Sequence, residues 1–380
     1  MTGRLMIKPM IVVVALCVLC NVSIAQSQNE SQDGWDADAA ASYLDQRVEW
    51  WSGWERAERD QETFCISCHT TGPFGLARSR LRPSSDNATA TRYERVVLQN
   101  IRTRVSHWDE FGPYYGDEQY GALKTAQSRG TEAIWNALLL ANQDASAGSL
   151  SSYSEAAFDR LWALQETSGE DRGAWRWLHF GLAPWESDEG TYFGAALAAV
   201  AVGLAPSGYR TRPEIQEALI LLRDYLRKQV DAEPLLNRVM AVWASASGLD
   251  FLAPNRQRDI LSEIVTRQRS DGGWSLSSLG SWKRRDGSRP ERVSDGYATG
   301  LIVLALQSAR LAEANKVVAN GLSWLRSNQL PDGSWPALSL NRFHESSSDS
   351  ERFMRDAATS FAVLALTTGG EFFSSTAGSP

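Results

Sequence analysis

A chain of 380 residues with 43% hydrophobic residues and 15 tryptophans has enough apolar material for one large domain or two ordinary ones, which excludes disorder over most of its length. Its formal charge of −7 disfavours nucleic acid and anionic membrane surfaces as partners. Only residues 26–34 and 370–380, rich in Ser, Gln, Asn and Gly, read as disordered.

The chain begins with Arg4 and Lys8, followed by an apolar run from Ile11 to Cys20 and by Ser23 and Ala25 at the −3 and −1 positions of a cleavage site. That pattern predicts a signal peptide over residues 1–25 and an exported protein, periplasmic or extracellular. Cys17 and Cys20 follow Leu16 and Leu19, where a lipoprotein cysteine would follow a small residue. No later stretch reaches about 18 uninterrupted apolar residues, so no stable membrane insertion is expected.

Cleavage would leave two cysteines, in Cys65-Ile66-Ser67-Cys68-His69. Cys-x-x-Cys-His is the attachment signature of a c-type haem. On a helical turn Cys65 and Cys68 would face one side, where both thiols can form thioethers, and His69 can offer a neutral imidazole nitrogen to the iron. A disulfide framework would need more pairs, and a four-ligand zinc site would need two further ligands. One covalent haem c on Cys65, Cys68 and His69 is therefore the expected cofactor, and a Cys65–Cys68 disulfide is the alternative.

From Ala39 onward apolar residues recur at three and four, which predicts helices. They span about 37–60, 71–82, 92–108, 128–142, 154–166, 188–204, 213–229, 233–247, 255–269, 293–309, 313–328 and 353–367. A repeat runs through them. Gln268-Arg269-Ser270-Asp271-Gly272-Gly273-Trp274 and Gln329-Leu330-Pro331-Asp332-Gly333-Ser334-Trp335 are one unit, and Gln165 with Gly173-Ala174-Trp175 is a weaker copy. Each copy follows an amphipathic helix and precedes one that is small-residue-rich and apolar all round, such as Gly190 to Leu204. Helices of the second kind must be buried. Alternation of the two kinds predicts an all-α fold, an α/α toroid of inner and outer helices over residues 35–369 with the haem segment, about 60–75, in its first hairpin. The glycine of Gly-x-Trp would free the backbone to turn, and the tryptophan would cover a helix end or the next repeat.

Gln followed by Gly-x-Trp resembles the repeat of squalene-hopene cyclases, and the alternating helices resemble the toroid shared by terpenoid cyclases and protein prenyltransferase β subunits. The resemblance implies a toroid fold. The Asp-x-Asp-Asp acid of the cyclases is absent, as are the zinc ligands of the transferases, since no cysteine lies beyond Cys68. The expected function is accordingly an exported monohaem c-type cytochrome in electron transfer or a haem-based redox accessory role, with its redox partner unnamed. Binding or modification of an apolar polyprenyl or terpenoid ligand, and a haem-free disulfide scaffold, are the alternatives.

For the sixth iron ligand the sequence offers His107, His179, His344, Met240 and Met354, with His107 nearest the motif, or an open site. Trp54 and Phe64 are the aromatic residues expected to wall the haem. Asp295 and Asp356, ahead of apolar helices, read as N-terminal caps.

Overall fold

The computed structural model describes residues 34–82, 89–112, 114–206, 208–345 and 348–368. The expected signal peptide and both tails lie outside these residues. Among the described residues the regular structure is mainly twelve α-helices: α1 (Ala37–Ser52), α2 (Thr71–Ala77), α3 (Arg92–Ser106), α4 (Gly121–Asp144), α5 (Ser152–Ala163), α6 (Gly190–Leu204), α7 (Gln216–Gln229), α8 (Leu235–Ala244), α9 (Pro254–Arg267), α10 (Gly296–Ala309), α11 (Asn315–Ser327) and α12 (Asp349–Thr368). All twelve expected helices are present, and the fold is the predicted all-α toroid.

Packing partners define two rings. Helices α2, α4, α6, α8, α10 and α12 each touch the next, and α12 returns to α2, closing an inner ring. Each remaining helix packs outside it. In α6 every residue from Tyr192 to Val202 is buried, as its sequence without a polar stripe requires. Outer α7 instead buries Leu219, Leu222 and Leu226 and leaves Ile220 exposed. Aromatic side chains pack among the inner helices, with Tyr297 meeting Trp185 at 5.4 Å and Phe361 at 5.1 Å, both edge to face.

Several boundaries differ from expectation: α4 already begins at Gly121, ahead of the expected 128, and α2 ends at Ala77, short of the expected 82. The first helix ends at Ser52, because Gly53 closes it and residues Glu58–Arg59 (β1) pair antiparallel with Thr63–Phe64 (β2). The helix expected over 353–367 starts earlier, at Asp349, which moves Asp356 from a cap position into the body of α12. Asp295 does cap α10, its carboxylate accepting from the Ala298 N–H.

The repeat has a mechanical role. Trp175, Trp274 and Trp335 each donate an indole N–H to a carbonyl in the last turns of the preceding outer helix, at Leu161, Ile264 and Leu325. These carbonyls belong to helix ends that lack partners of their own. Gln165, Gln268 and Gln329 each bridge two carbonyls. One lies in the copy's own turn, at Gly173, Gly272 and Gly333, and the other on the next outer helix, at Ala218, Val317 and Asp36. The last bridge runs from the final repeat back to the first helix. At Gly173, Gly272 and Gly333 φ is +101°, +92° and +86°, and a Cβ would lie within 3 Å of a carbonyl oxygen on the neighbouring outer helix. Glycine is required twice over there, by the turn and by the close approach.

Trp274 and Trp335 are fully buried, so truncating either to Ala is expected to cost about 3–5 kcal/mol in urea unfolding. Val293→Ala, at an exposed position, is expected to change stability by less than about 0.5 kcal/mol.

Candidate functional site

The starts of the inner helices form one face of the toroid. Asn237 at the start of α8 donates to the Glu189 carbonyl beside α6, Leu236 N–H to Leu279 before α10, and Gly296 N–H to Pro336 before α12. A cavity of about 140 Å³ opens on this face, lined by Cys65, Cys68 and His69 together with Trp51, Arg59, Tyr115 and Glu186, and closed in part by Arg104 and Glu132.

Local sequence sets the motif in place. Phe64 exchanges two hydrogen bonds with the buried Asn100 side chain of α3, at 2.8 and 3.0 Å, much as a neighbouring strand would. Cys65 N–H donates to Ala57, and its carbonyl accepts from the Trp51 indole at 2.7 Å. These bonds hold Cys65 and Ile66 outside any helix, and the turn begins only at Cys68. The expected helical turn over the whole motif is thus corrected, but both thiols line one cavity nonetheless. Ser67 Oγ then accepts from the N–H groups of Thr70 and Thr71 at 3.1 Å and starts α2.

Both cysteines are free, which corrects the disulfide-scaffold alternative. Burial pushes the Cys65 thiol up and the Cys68 thiol well up, so both are neutral. His69 stacks on Phe353 at 4.1 Å and meets the edge of Trp51 at 5.0 Å. That burial, with Arg47 adding repulsion, lowers the imidazole to about 3, and the ring is neutral at any physiological pH. Its Nδ1 lies 2.8 Å from Thr70 Oγ1, and Thr70 donates to Asp356 Oδ2 at 2.6 Å.

Two further groups line the cavity that sequence reasoning missed. Arg104, almost wholly buried, pairs with Glu132, donates from Nη2 to Glu132 Oε2 at 2.8 Å, and also reaches Thr63 and Tyr114. Arg47 likewise pairs with Asp356. Both arginines sit inside an apolar stripe, Leu44-Arg47-Val48-Trp51 on α1 and Val97-Ile101-Arg104-Val105 on α3, which is a legible sign of a buried ion pair. Glu186 carried no such sign, lying in the irregular loop before α6. Its carboxyl makes no hydrogen bond or ion pair among the described residues, and burial raises it from the usual 4.5 to about 7, against a smaller opposing pull from Lys124.

The structure does not bring the other ligand candidates to this cavity. His107 caps the end of α3 at the surface with Nδ1 3.0 Å from Glu110, and His179 is exposed beside Asp188. Met240 and Met354 are buried in α8 and α12, and none of these four, nor His344, lines the cavity. Trp54 stacks on Trp50 at 5.0 Å in the aromatic cluster around Phe353, and Phe64 is buried in β2.

No protein-family model matches the chain, and no curated protein matches it. Among solved structures, a possible GH105 family member from Klebsiella pneumoniae is 12% identical with a TM-score of 0.46, covering 87% of this chain and 92% of that one. A polysaccharide lyase is 12% identical with a TM-score of 0.37, covering 90% and 91%. A glycosyl hydrolase family 88 protein from Bacteroides vulgatus is 10% identical with a TM-score of 0.30, covering 90% and 94%. No activity or residue role is carried over at these identities.

These findings correct three expectations. The structures that resemble this chain are named for glycoside hydrolases and a lyase, in place of the expected squalene-hopene cyclases and prenyltransferases. The reading as an electron-transfer cytochrome or haem-based redox accessory is withdrawn with it, and among the described residues no cluster of three or more His, Cys, Asp or Glu side chains is placed to hold a metal ion. The polyprenyl-binding alternative, which rested on the same resemblance, is withdrawn with it. Among the described residues no helix is long and apolar enough to cross a membrane.

Two outcomes test the electrostatics. Arg104→Met leaves Glu132 buried and unpaired and is expected to cost about 3–5 kcal/mol in urea unfolding. Glu186 binds its proton more tightly folded than unfolded, so its contribution to stability falls as pH rises from the usual 4.5 to about 7. Wild type is accordingly expected to lose stability relative to Glu186→Gln across that window, read as the difference between their unfolding midpoints at each pH.

Proposed function

We propose that this cavity is the working site of the protein, where a small polar molecule binds and exchanges a proton with Glu186. The observation that carries the reading is the Glu186 carboxyl, unpartnered among the described residues, facing the cavity and held near 7 by burial. A group that titrates near the working pH can both give and take a proton. The neighbouring carboxylate is occupied differently: Glu132 accepts hydrogen bonds from Arg104 and Tyr114. The enclosed volume lies below the ~300 Å³ at which drug-sized ligands are accommodated, so the site takes a small molecule or one end of a larger one. A sugar ring suits the lining, with Trp51 and Tyr115 offering flat apolar faces and Arg59 and Glu186 offering partners for hydroxyl groups.

A second reading concerns what the cavity carries, and the shared exposure of Cys65, Cys68 and His69 to one cavity favours it. We propose one covalent haem c here, held by thioethers at Cys65 and Cys68 and by His69 Nε2. The donors fit: the thiols are free, the imidazole is neutral, and Nε2 makes no hydrogen bond among the described residues while Nδ1 is anchored. Holding a haem this way asks for one imidazole and two thiols, and no three-ligand cluster. The enclosed volume is smaller than a porphyrin, so seating one requires lining side chains such as Tyr115 and the exposed Phe180 to move. When bound, the group would supply an iron able to take a small ligand. Assembly of haem c takes place outside the cytoplasm, so this reading carries with it export directed by residues 1–25.

Two measurements decide between outcomes. Infrared titration of the protein is expected to show a carboxyl near 7 that disappears in Glu186→Gln, and calorimetric titration with neutral and uronic monosaccharides is expected to show binding weakened at least tenfold in that variant. A Glu186 carboxyl at its usual value would sink the proton-exchange reading. A pyridine haemochrome spectrum of protein exported from a host with cytochrome c maturation machinery is expected to show thioether-linked haem, lost in the Cys65→Ala, Cys68→Ala double variant. A colourless wild type would remove the cofactor and leave the Glu186 site standing.

A further inference from the structure

The state of the His69 ring is decided by residues far from it in the chain. Thr70 Oγ1 lies 2.8 Å from His69 Nδ1 and donates its proton to Asp356 Oδ2 at 2.6 Å. A hydroxyl has one proton and two lone pairs. A Thr70 oxygen that gives its proton to Asp356 must therefore accept from His69, which places the hydrogen on Nδ1 and leaves the lone pair on Nε2. Asp356 is fixed as the acceptor in turn. Arg47 Nε at 2.8 Å and Tyr43 OH at 2.9 Å both donate to its other oxygen, so three donors converge on one fully buried carboxylate. A flip of the ring about Cβ–Cγ would put Cδ2 in the place of Nδ1 and forfeit the bond to Thr70, so the observed orientation is the one that bond selects.

We propose that Thr70 and Asp356 are positioning residues for axial ligation, locking His69 in the tautomer whose Nε2 is the ligand atom. The inference rests on the haem c reading. A ligating imidazole whose second nitrogen donates toward a carboxylate is both oriented and made a stronger donor. Here the carboxylate acts through one hydroxyl, and it comes from the last inner helix while the imidazole enters the first. The Thr70–Asp356 hydrogen bond that fixes the ligand's orientation also joins α12 to the motif. A ring left unclosed at this point would lose the ligand's orientation along with its own stability.

The experiment separates this inference from the haem reading by using two samples. In the Cys65→Ala, Cys68→Ala variant, which attaches no haem, nitrogen NMR of the His69 ring is expected to show the Nδ1–H tautomer, and adding Thr70→Val is expected to give a mixture. In the haem-loaded protein, Thr70→Val is expected to retain covalent haem at the wild-type ratio and to raise the midpoint potential, because a less electron-rich imidazole stabilises ferric iron less. Thr70→Ser keeps the hydroxyl and is expected to restore both wild-type values. An Nε2–H tautomer in the haem-free sample, or unchanged spectra and potential in Thr70→Val, would overturn the positioning role. A wild type without haem would overturn the ligation, while the NMR result still decides whether the tautomer is locked.

Discussion

One buried carboxylate holds the two ends of this fold together. Asp356, on the last inner helix, accepts hydrogen bonds from Arg47 and Tyr43 on the first outer helix and from Thr70 at the start of the first inner helix. Closing a ring brings together residues some three hundred apart in sequence, and a closure made by apolar contact alone would not fix the angle between the helices. A charge buried among three aimed donors has far fewer acceptable geometries than a leucine has. Burial raises the Asp356 carboxyl above its usual range, and the Arg47 guanidinium with the two hydroxyl donors oppose that rise without cancelling it. Removing one partner of such a pair is costly, because the other is left charged away from water. The Gln329 bridge to Asp36 fastens the same seam from outside, so the ring is closed by polar contacts in two layers.

The face on which the cavity lies follows from the alternation of helices. Every inner helix runs the same way, so all six present their N-terminal ends and the preceding loops on one side. Loops carry irregular backbone and can place polar groups that a buried helix cannot. Asp295 before α10, Glu186 before α6 and Glu233 before α8 are all partly or wholly buried there, and all are raised to about 7. They differ in what they touch. Asp295 is consumed by the backbone it caps, Glu233 accepts from Asn237, and Glu186 alone of the three faces the cavity without a partner among the described residues. That lack of a partner is what sets the Glu186 carboxyl apart from the other two.

The corrections arise from one weakness of sequence resemblance. The repeat of Gln, Gly and Trp is explained by its mechanics: a glycine turn at positive φ, an indole capping a helix end, and an amide tying one outer helix to the next. Those duties serve any ring of helices, and they carry no information about what the ring does. Likewise Cys-x-x-Cys-His tells which atoms can hold a haem, whereas the function depends on what surrounds them. The Arg104–Glu132 pair, the Glu186 carboxyl and the Phe353 stack on His69 reach the cavity from α3, α4, the loop before α6 and α12, none of which the motif specifies.

The sequence by itself determined the all-α class, the alternation of amphipathic and wholly apolar helices, and hence two rings, because helical periodicity and the need to bury an apolar surface are local facts. It also determined that two thiols and an imidazole would stand together, since three of five consecutive residues cannot be far apart. The apolar stripes around Arg47 and Arg104 carried a sign of buried charge that sequence reasoning missed. Only the tertiary structure decided their partners, moved Asp356 from a cap to a ring seam, sent His107 to the surface, and set Glu186 opposite the motif. Those outcomes depend on which distant side chain arrives at a given distance and on how much water it leaves behind, and no local pattern of residues encodes either quantity.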